Sequence, residues 1–376
     1  MPNKKNCVVL LIVGVCFFGT FYACSKKNAD KIRIGAMLLL SGDNALWGDN
    51  AKKAINLLSE ETNASGGING KKVEIIYEDS KGEAKTAIAA FHKLVDVEQV
   101  PAVLGDMVTA TTLAVAPLAN QSKVILMGIS CSAPAVTAAG PFVYRVWPSD
   151  LYEGQVFAEW AYKKGYKTIG VAYVNNDYGT GLKDAFSAQI EKLGGKIVVT
   201  EAYNATDKDF RPVVVKIKQV KPQAVYIVGY YEDSARLIRE AKQTGFSSQL
   251  LGTSSSIHEK LFEIAGKASE GFVAAMLNDF DMAKLTPAQE SFVKKYRAQY
   301  GADPDWAATH AADAYLVVEA CLKKGNTTGE AIKNCIDTDK TFEAINSGVS
   351  FDDNGDMVNK PIAIKSVRDG KFVDIQ

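Results

Sequence analysis

Hydroxyl-bearing residues recur in this sequence just after short apolar runs, where a strand would end and a helix begin. Residues 105–112 carry Thr109 and Thr111, residues 128–134 carry Ser130 and Ser132, and residues 252–256 carry Ser254. A hydroxyl beside the free N–H groups of a helix start suits a carboxylate, because that end bears partial positive charge. Thr109, Thr111 and Ser132 could hold one without an arginine. Each could equally be a helix N-cap, the commonest task of Ser or Thr at such a place. Trp47 in 40–48, Tyr178 in 175–179 and Tyr230 in 229–233 could supply flat apolar walls, or be ordinary core.

Covalent and acid–base chemistry have no comparable footing. His92, His258 and His310 are widely scattered, and no HExxH, GxSxG or CxxC pattern occurs. Neither a zinc protease nor a serine hydrolase is indicated. No GxxxxGK[ST] or GxGxxG follows a strand, which removes the two usual phosphate cradles of α/β sheets. The run Asp352-Asp353-Asn354-Gly355-Asp356 lacks the spaced ligands and closing Glu of a calcium loop and reads as a solvated turn. No metal or cofactor is called for.

The elements that must position these loops are legible in the hydrophobic pattern. Short β-branched runs fall at 31–37, 72–77, 102–104, 124–127 and 142–146. A second series falls at 168–174, 196–202, 224–228, 249–251 and 272–276. Amphipathic segments at 49–63, 84–97, 151–164, 182–193 and 232–244 lie between them. Strands alternating with helices of this length argue for right-handed βαβ units and parallel sheets. The simplest reading is two similar α/β lobes of about five strands each, with the polar loops at the strand carboxyl ends, where open α/β sheets bind ligands. Further helices are expected at 287–300, 307–323 and 329–336, then two short strands around 352–355.

Lys4 and Lys5, then an uncharged run from Cys7 to Tyr22, then Ala23-Cys24-Ser25, make a secretory signal. The run is shorter than the roughly 20 residues of a spanning helix. Phe21-Tyr22-Ala23-Cys24 resembles a lipobox, with Phe21 at the usual leucine. Cys24 would then be the lipidated first residue of the mature chain; an ordinary cleaved signal and an uncleaved anchor are the other readings. The remainder is longer than one core comfortably holds, so two domains are expected. With 43 basic and 43 acidic residues, the chain has no electrostatic reason to bind nucleic acid or an anionic membrane surface. Membrane contact would come through the lipid. Cys321 and Cys335 could pair in an oxidising compartment or stay as two buried thiols.

Order and spacing together resemble one family, the type I periplasmic binding proteins of the branched-chain amino acid class, the leucine/isoleucine/valine receptors of ABC importers. The resemblance runs from Ile32 to about Ile375. It rests on Ser41-Gly42, Trp47-Gly48, Asn63 with Gly66-Gly67-Ile68, Glu78-Asp79, the Gly105 loop and the 130–134 loop. Asn176-Asp177-Tyr178-Gly179, Lys208-Asp209-Phe210, Gly229-Tyr230 and Glu270-Gly271 continue it. It implies two Rossmann-like lobes joined by three hinge strands, with a ligand cleft between them. The expected division is a signal peptide (1–23), a lipid-anchored linker (24–30), an N-terminal lobe (30–148 plus 280–348) and a C-terminal lobe (149–279 plus 349–376). Crossings would fall near Ser149, Asp279 and Ser350.

The same resemblance implies a monomeric receptor, not an enzyme, that closes on a branched-chain or related amino acid and delivers it to permease subunits. Thr109 resembles the serine that binds the ligand carboxylate, Ser130 supplies backbone contact, and Ser132 matches the family's threonine. Trp47 and Tyr178 resemble pocket aromatics, and Tyr230 the tyrosine beside the amino group. One position departs: Ser254 stands where family members usually place the acid that holds the ammonium. A buried ammonium without a carboxylate is costly. Either Glu232, Asp279 or Asp281 takes over, or the ligand is a keto acid, aromatic acid or amide. Those acids read equally well as solvated surface residues. A sensor input to a separate signalling partner is the other use of such lobes.

Overall fold

The computed structural model describes residues 31–375 apart from 43, 279 and 281. The signal peptide, Cys24, the 24–30 linker, Asp279 and Asp281 lie outside the described residues. The first unit runs β1 (Lys31–Leu38), α1 (Ala45–Ala64), β2 (Lys72–Asp79), α2 (Ala84–His92), β3 (Ala102–Leu104), α3 (Thr109–Ser122), β4 (Ile125–Gly128) and β5 (Val143–Arg145). All five strands are parallel, in the order β2-β1-β3-β4-β5. Strand β1 is buried from Ile34 to Leu38, without alternation, because helices cover both faces of the sheet. Helix α1 turns Trp47, Ala51, Ala54, Ile55 and Leu58 inward, the three-to-four spacing of one helical face.

The second unit repeats the plan: α4 (Asp150–Lys163), β6 (Thr168–Val174), α5 (Asp177–Lys192), β7 (Lys196–Tyr203), α6 (Arg211–Val220), β8 (Ala224–Val228), α7 (Tyr231–Gln243), β9 (Gln249–Gly252), α8 (Glu259–Ala265) and β10 (Val273–Leu277). Its parallel part is ordered β7-β6-β8-β9-β10, the same doubly wound arrangement. In both sheets the order reverses beside the first strand, so a crevice opens there at the carboxyl ends.

The chain then returns to the first unit. Helices α9 (Pro287–Tyr300), α10 (Trp306–Lys323) and α11 (Gly329–Asp339) follow, and α10 packs along α1, burying Ala307, Ala311, Tyr315, Val318 and Leu322 in the first core. Cys321 and Cys335 are disulfide-bonded across α10 and α11 with a Cα–Cα distance of 5.8 Å, and Cys131 is a buried free thiol. Strands β11 (Thr341–Phe342), β12 (Val349–Phe351) and β13 (Met357–Val358) form a small antiparallel sheet. Its Val349, Phe351 and Met357 enter the first core, and Gly355 O accepts from Arg145 N. Only after Val358 does the chain reach the second sheet, where β14 (Ile362–Arg368) pairs antiparallel with β10 and β15 (Lys371–Asp374) completes the edge. Residues 349–358 therefore sit with the first unit, beyond the expected crossing near Ser350.

Candidate functional site

The first-unit loops are fixed by short-range polar contacts. Asp79 at the end of β2 accepts from Leu40 N (2.9 Å) and Ser41 Oγ (2.6 Å), holding the loop after β1. Trp47 follows in the first turn of α1. A Cβ added at Gly48 would sit 1.7 Å from Leu39 O, so only glycine lets the helix lie this close to the strand end. Trp47 is 2% exposed, its ring edge-on to Trp306 at 5.2 Å, and Trp306 meets Trp147 at 5.4 Å.

Thr109 is the first residue of α3. Val108 occupies the cap without a side-chain bond, while Thr111 and Thr112 hydroxyls donate back to Val108 O at 2.7 and 3.0 Å. Thr111 is thereby committed to its own helix. Thr109 Oγ1 accepts from Ala133 N at 3.4 Å, which leaves its proton to donate elsewhere beside the unpaired N–H groups of the first turn. Ser130 Oγ donates to Met107 O at 3.0 Å, so its hydroxyl ties the two loops together. Arg145, fully buried, gathers the same loop: Nη1 donates to Cys131 O (3.1 Å) and Ala133 O (2.9 Å), and Nε to Asp356 (2.7 Å).

The second unit closes against these loops. Asn176 caps α5 through Gly179 N (2.9 Å) and donates to the Tyr230 hydroxyl (3.2 Å). Tyr230 stacks on Tyr178 at 5.4 Å, and Tyr178 donates to Thr253 Oγ1 (3.0 Å). Trp47 meets Tyr230 edge-on at 5.8 Å and Tyr231 at 5.3 Å, across the two units. A Cβ at Gly181 would lie 2.7 Å from Pro134 Cδ, so the two units touch closely there as well. Asp150 N donates to Ser132 O (2.8 Å), joining the start of α4 to the first-unit loop.

Trp47, Thr109, Ser130, Ser132, Tyr178, Tyr230 and Ser254 thus lie in one connected region at the seam between the units. Asp279 and Asp281 fall outside the described residues. Glu232 is held by Arg236 at 2.8 Å on α7. Two acids that sequence reasoning misses stand in the seam instead. Glu153 accepts from Ser254 N (3.1 Å) and Ser254 Oγ (2.6 Å), and burial pushes its carboxyl up to about 7 despite those two bonds. Asp150, one turn earlier, is pushed well above the usual range by burial and then by the Glu153 charge. Burial also raises Asp106 to about 6 and Asp233 to about 7. A signal for the pair exists in the sequence: Asp150 and Glu153 follow Ser149, whose side chain caps α4. Acids in a first turn normally read as complements to the helix dipole.

Residues 31–371 match the family model described as periplasmic binding protein. The chain belongs to that family. This periplasmic binding protein is therefore a solute receptor of the ABC-transporter type, exported and not an enzyme. A Pseudomonas aeruginosa leucine-, isoleucine-, valine-, threonine- and alanine-binding protein is 29% identical over 350 residues, 90% of each chain. A Thermotoga maritima leucine-binding protein structure superposes with a TM-score of 0.85 at 28% identity, covering 92% of this chain and 98% of its own. The branched-chain amino acid substrate-binding protein of Streptococcus pneumoniae, crystallised with isoleucine, gives 0.83 at 25% identity, covering 92% of this chain and all of its own.

Proposed function

We propose that this receptor captures a branched-chain or related aliphatic amino acid between its lobes and hands it to permease subunits, acting as a monomer tethered through a lipid on Cys24. The carrying observation is the Thr109 hydroxyl at the start of α3, which accepts from Ala133 N and keeps its proton to donate, in the same seam as the Trp47, Tyr178 and Tyr230 rings. A helix start with a hydroxyl suits the ligand carboxylate, and the aromatic wall suits an apolar side chain. The lobes of this reading take 30–148 with 280–358, and 149–279 with 359–376, because 349–358 pack into the first core. Ligand binding favours the closed state by its differential affinity for it. Ser254 alone would favour a ligand without nitrogen, such as a keto acid or aromatic acid.

A thermal-shift screen of amino acids, keto acids, aromatic acids and amides tests this reading, since a ligand of the native state raises its stability by mass action. Leucine, isoleucine or valine should raise the melting temperature. A shift with none of the aliphatic amino acids would overturn the assignment. Mass spectrometry of the mature N-terminus from membranes tests the tether: an unmodified residue there would remove it.

A further inference from the structure

Ser254 looks like a lost acid only when its own side chain is considered. Its backbone N–H and hydroxyl both donate to Glu153, so a carboxylate still reaches this loop, delivered from α4. Each Glu153 oxygen takes one of these bonds and keeps a lone pair for another donor. An acid at 254 would repel Glu153, whereas serine docks it.

Asp150 lies three residues earlier on the same face of α4. It is 1% exposed, and neither carboxylate oxygen has a hydrogen-bond partner. The Ser132 hydroxyl and Arg145 lie near enough to temper its charge, but neither makes a bond of proper geometry. Arg145 is engaged with Asp356, Thr137 and two carbonyls, which leaves no side-chain cation bonded to the acid pair among the described residues. The stacked rings of Tyr178 and Tyr230 lie within electrostatic reach of Asp150. A ligand with only a carboxylate would gain nothing from two buried acids.

We propose that Glu153, docked on Ser254 and backed by Asp150, receives the ligand's ammonium group and so selects an amino acid over its 2-oxo analogue. This rests on the amino-acid reading above and adds to it the residues that recognise nitrogen. Burial raises both carboxyls above the usual range, and a cation arriving beside them would favour their ionised forms.

Calorimetry on the whole mature protein, with leucine, isoleucine and valine and their 2-oxo analogues, tests it. The wild type should prefer an amino acid. Glu153→Gln keeps an acceptor for Ser254 N and removes the charge; it should weaken the amino acid about ten- to hundredfold and leave the 2-oxo acid within about threefold. Asp150→Asn should shift the same ratio in the same direction, and ligand-free melting curves of both variants report folding separately. Equal losses for both ligand types, or no loss of amino-acid affinity in either folded variant, overturn the subsite while the receptor reading stands. Wild-type binding of 2-oxo acids with preference over amino acids also overturns it. Binding of no compound overturns the amino-acid reading and the subsite together.

Discussion

Replacing Asp356 by alanine removes the one carboxylate bonded, among the described residues, to the fully buried Arg145. Arg145 Nε donates to Asp356 Oδ1 at 2.7 Å, while Thr137 Oγ1 donates to Oδ2 at 2.6 Å and accepts from Arg145 Nη2 at 2.8 Å. After the substitution two carbonyls, Cys131 O and Ala133 O, still receive the guanidinium, but no carboxylate is bonded to it among the described residues. Breaking a buried pair from one side costs about 3–5 kcal/mol. The Asp356 side chain is 10% exposed, so water can enter the vacated space, and the lower end, about 3 kcal/mol, is expected. Urea unfolding followed by tryptophan fluorescence reads this well, because Trp47 and Trp147 sit in the first core and Trp306 packs against it. Far-UV circular dichroism on the same samples shows whether the second lobe unfolds at a different midpoint. A loss below about 1 kcal/mol would place the pair with exposed ion pairs and refute the argument. Ligand affinity should fall too, since Arg145 holds the loop that presents Ser130 and Ser132.

Other substitutions separate binding from stability. Thr109→Ala should weaken the ligand by about 1–3 kcal/mol, with Thr109→Ser recovering most of it; unchanged affinity by calorimetry removes Thr109 from the site. Replacing Cys321 and Cys335 together by serine opens a loop of sequence separation 14 and should cost about 3 kcal/mol, read as a lower urea midpoint with ligand affinity intact. A midpoint unchanged in that double variant would contradict the chain-entropy account. The ligand-free protein should lose stability as pH rises from about 4.5 to about 7, because Glu153 and Asp233 hold protons in the folded state that the unfolded chain has already released. For each carboxyl the loss is about 1.4 kcal/mol for every pH unit that separates its folded and unfolded titration midpoints. Lowered carboxyls such as Asp209 and Glu74 act in the opposite sense at lower pH, and His258, pushed down to about 4 by burial, opposes the trend within this window by less than the two acids together. Melting temperatures rising between about pH 5 and pH 7 would contradict the assignment, and Glu153→Gln should flatten the slope.

Strands are the most readable part of this sequence. The run 168–174 coincides with β6 and 224–228 with β8, because strands covered on both faces read as unbroken apolar stretches. Helix ends are less readable. The expected helix 182–193 begins at Asp177, since the Asn176 cap lies inside a loop rich in other polar residues. The expected helix 84–97 is α2 followed by a π-helical turn at Lys93–Val97, and apolar spacing does not separate those two hydrogen-bond patterns. The passage expected near Ser350 falls later because alternation in a short strand shows which face is buried and not which sheet it joins. Within the site, the aromatic and hydroxyl residues stand out in their loops. Glu153 does not, because its meaning depends on Ser254, 101 residues away in sequence.

That separation bears on how closure is governed. Glu153 and Ser254 belong to one lobe, whereas the Asp150 backbone N–H donates across to Ser132 O in the other. In this arrangement Asp150 is 1% exposed and its carboxylate has no hydrogen-bond partner, which costs free energy while it carries a charge. An ammonium placed between Asp150 and Glu153 reverses that effect, since each acid then gains a charge-assisted bond in a poorly solvated site. A ligand can bias a two-state hinge only by its differential affinity for the two states. On this arrangement the acid pair supplies such a difference: it opposes closure on water or on a bare carboxylate and favours closure on an amino acid. Trp47 meets Tyr230 and Tyr231 edge-on across the same seam, so an apolar side chain seated there would be buried by the closure that serves the amino group.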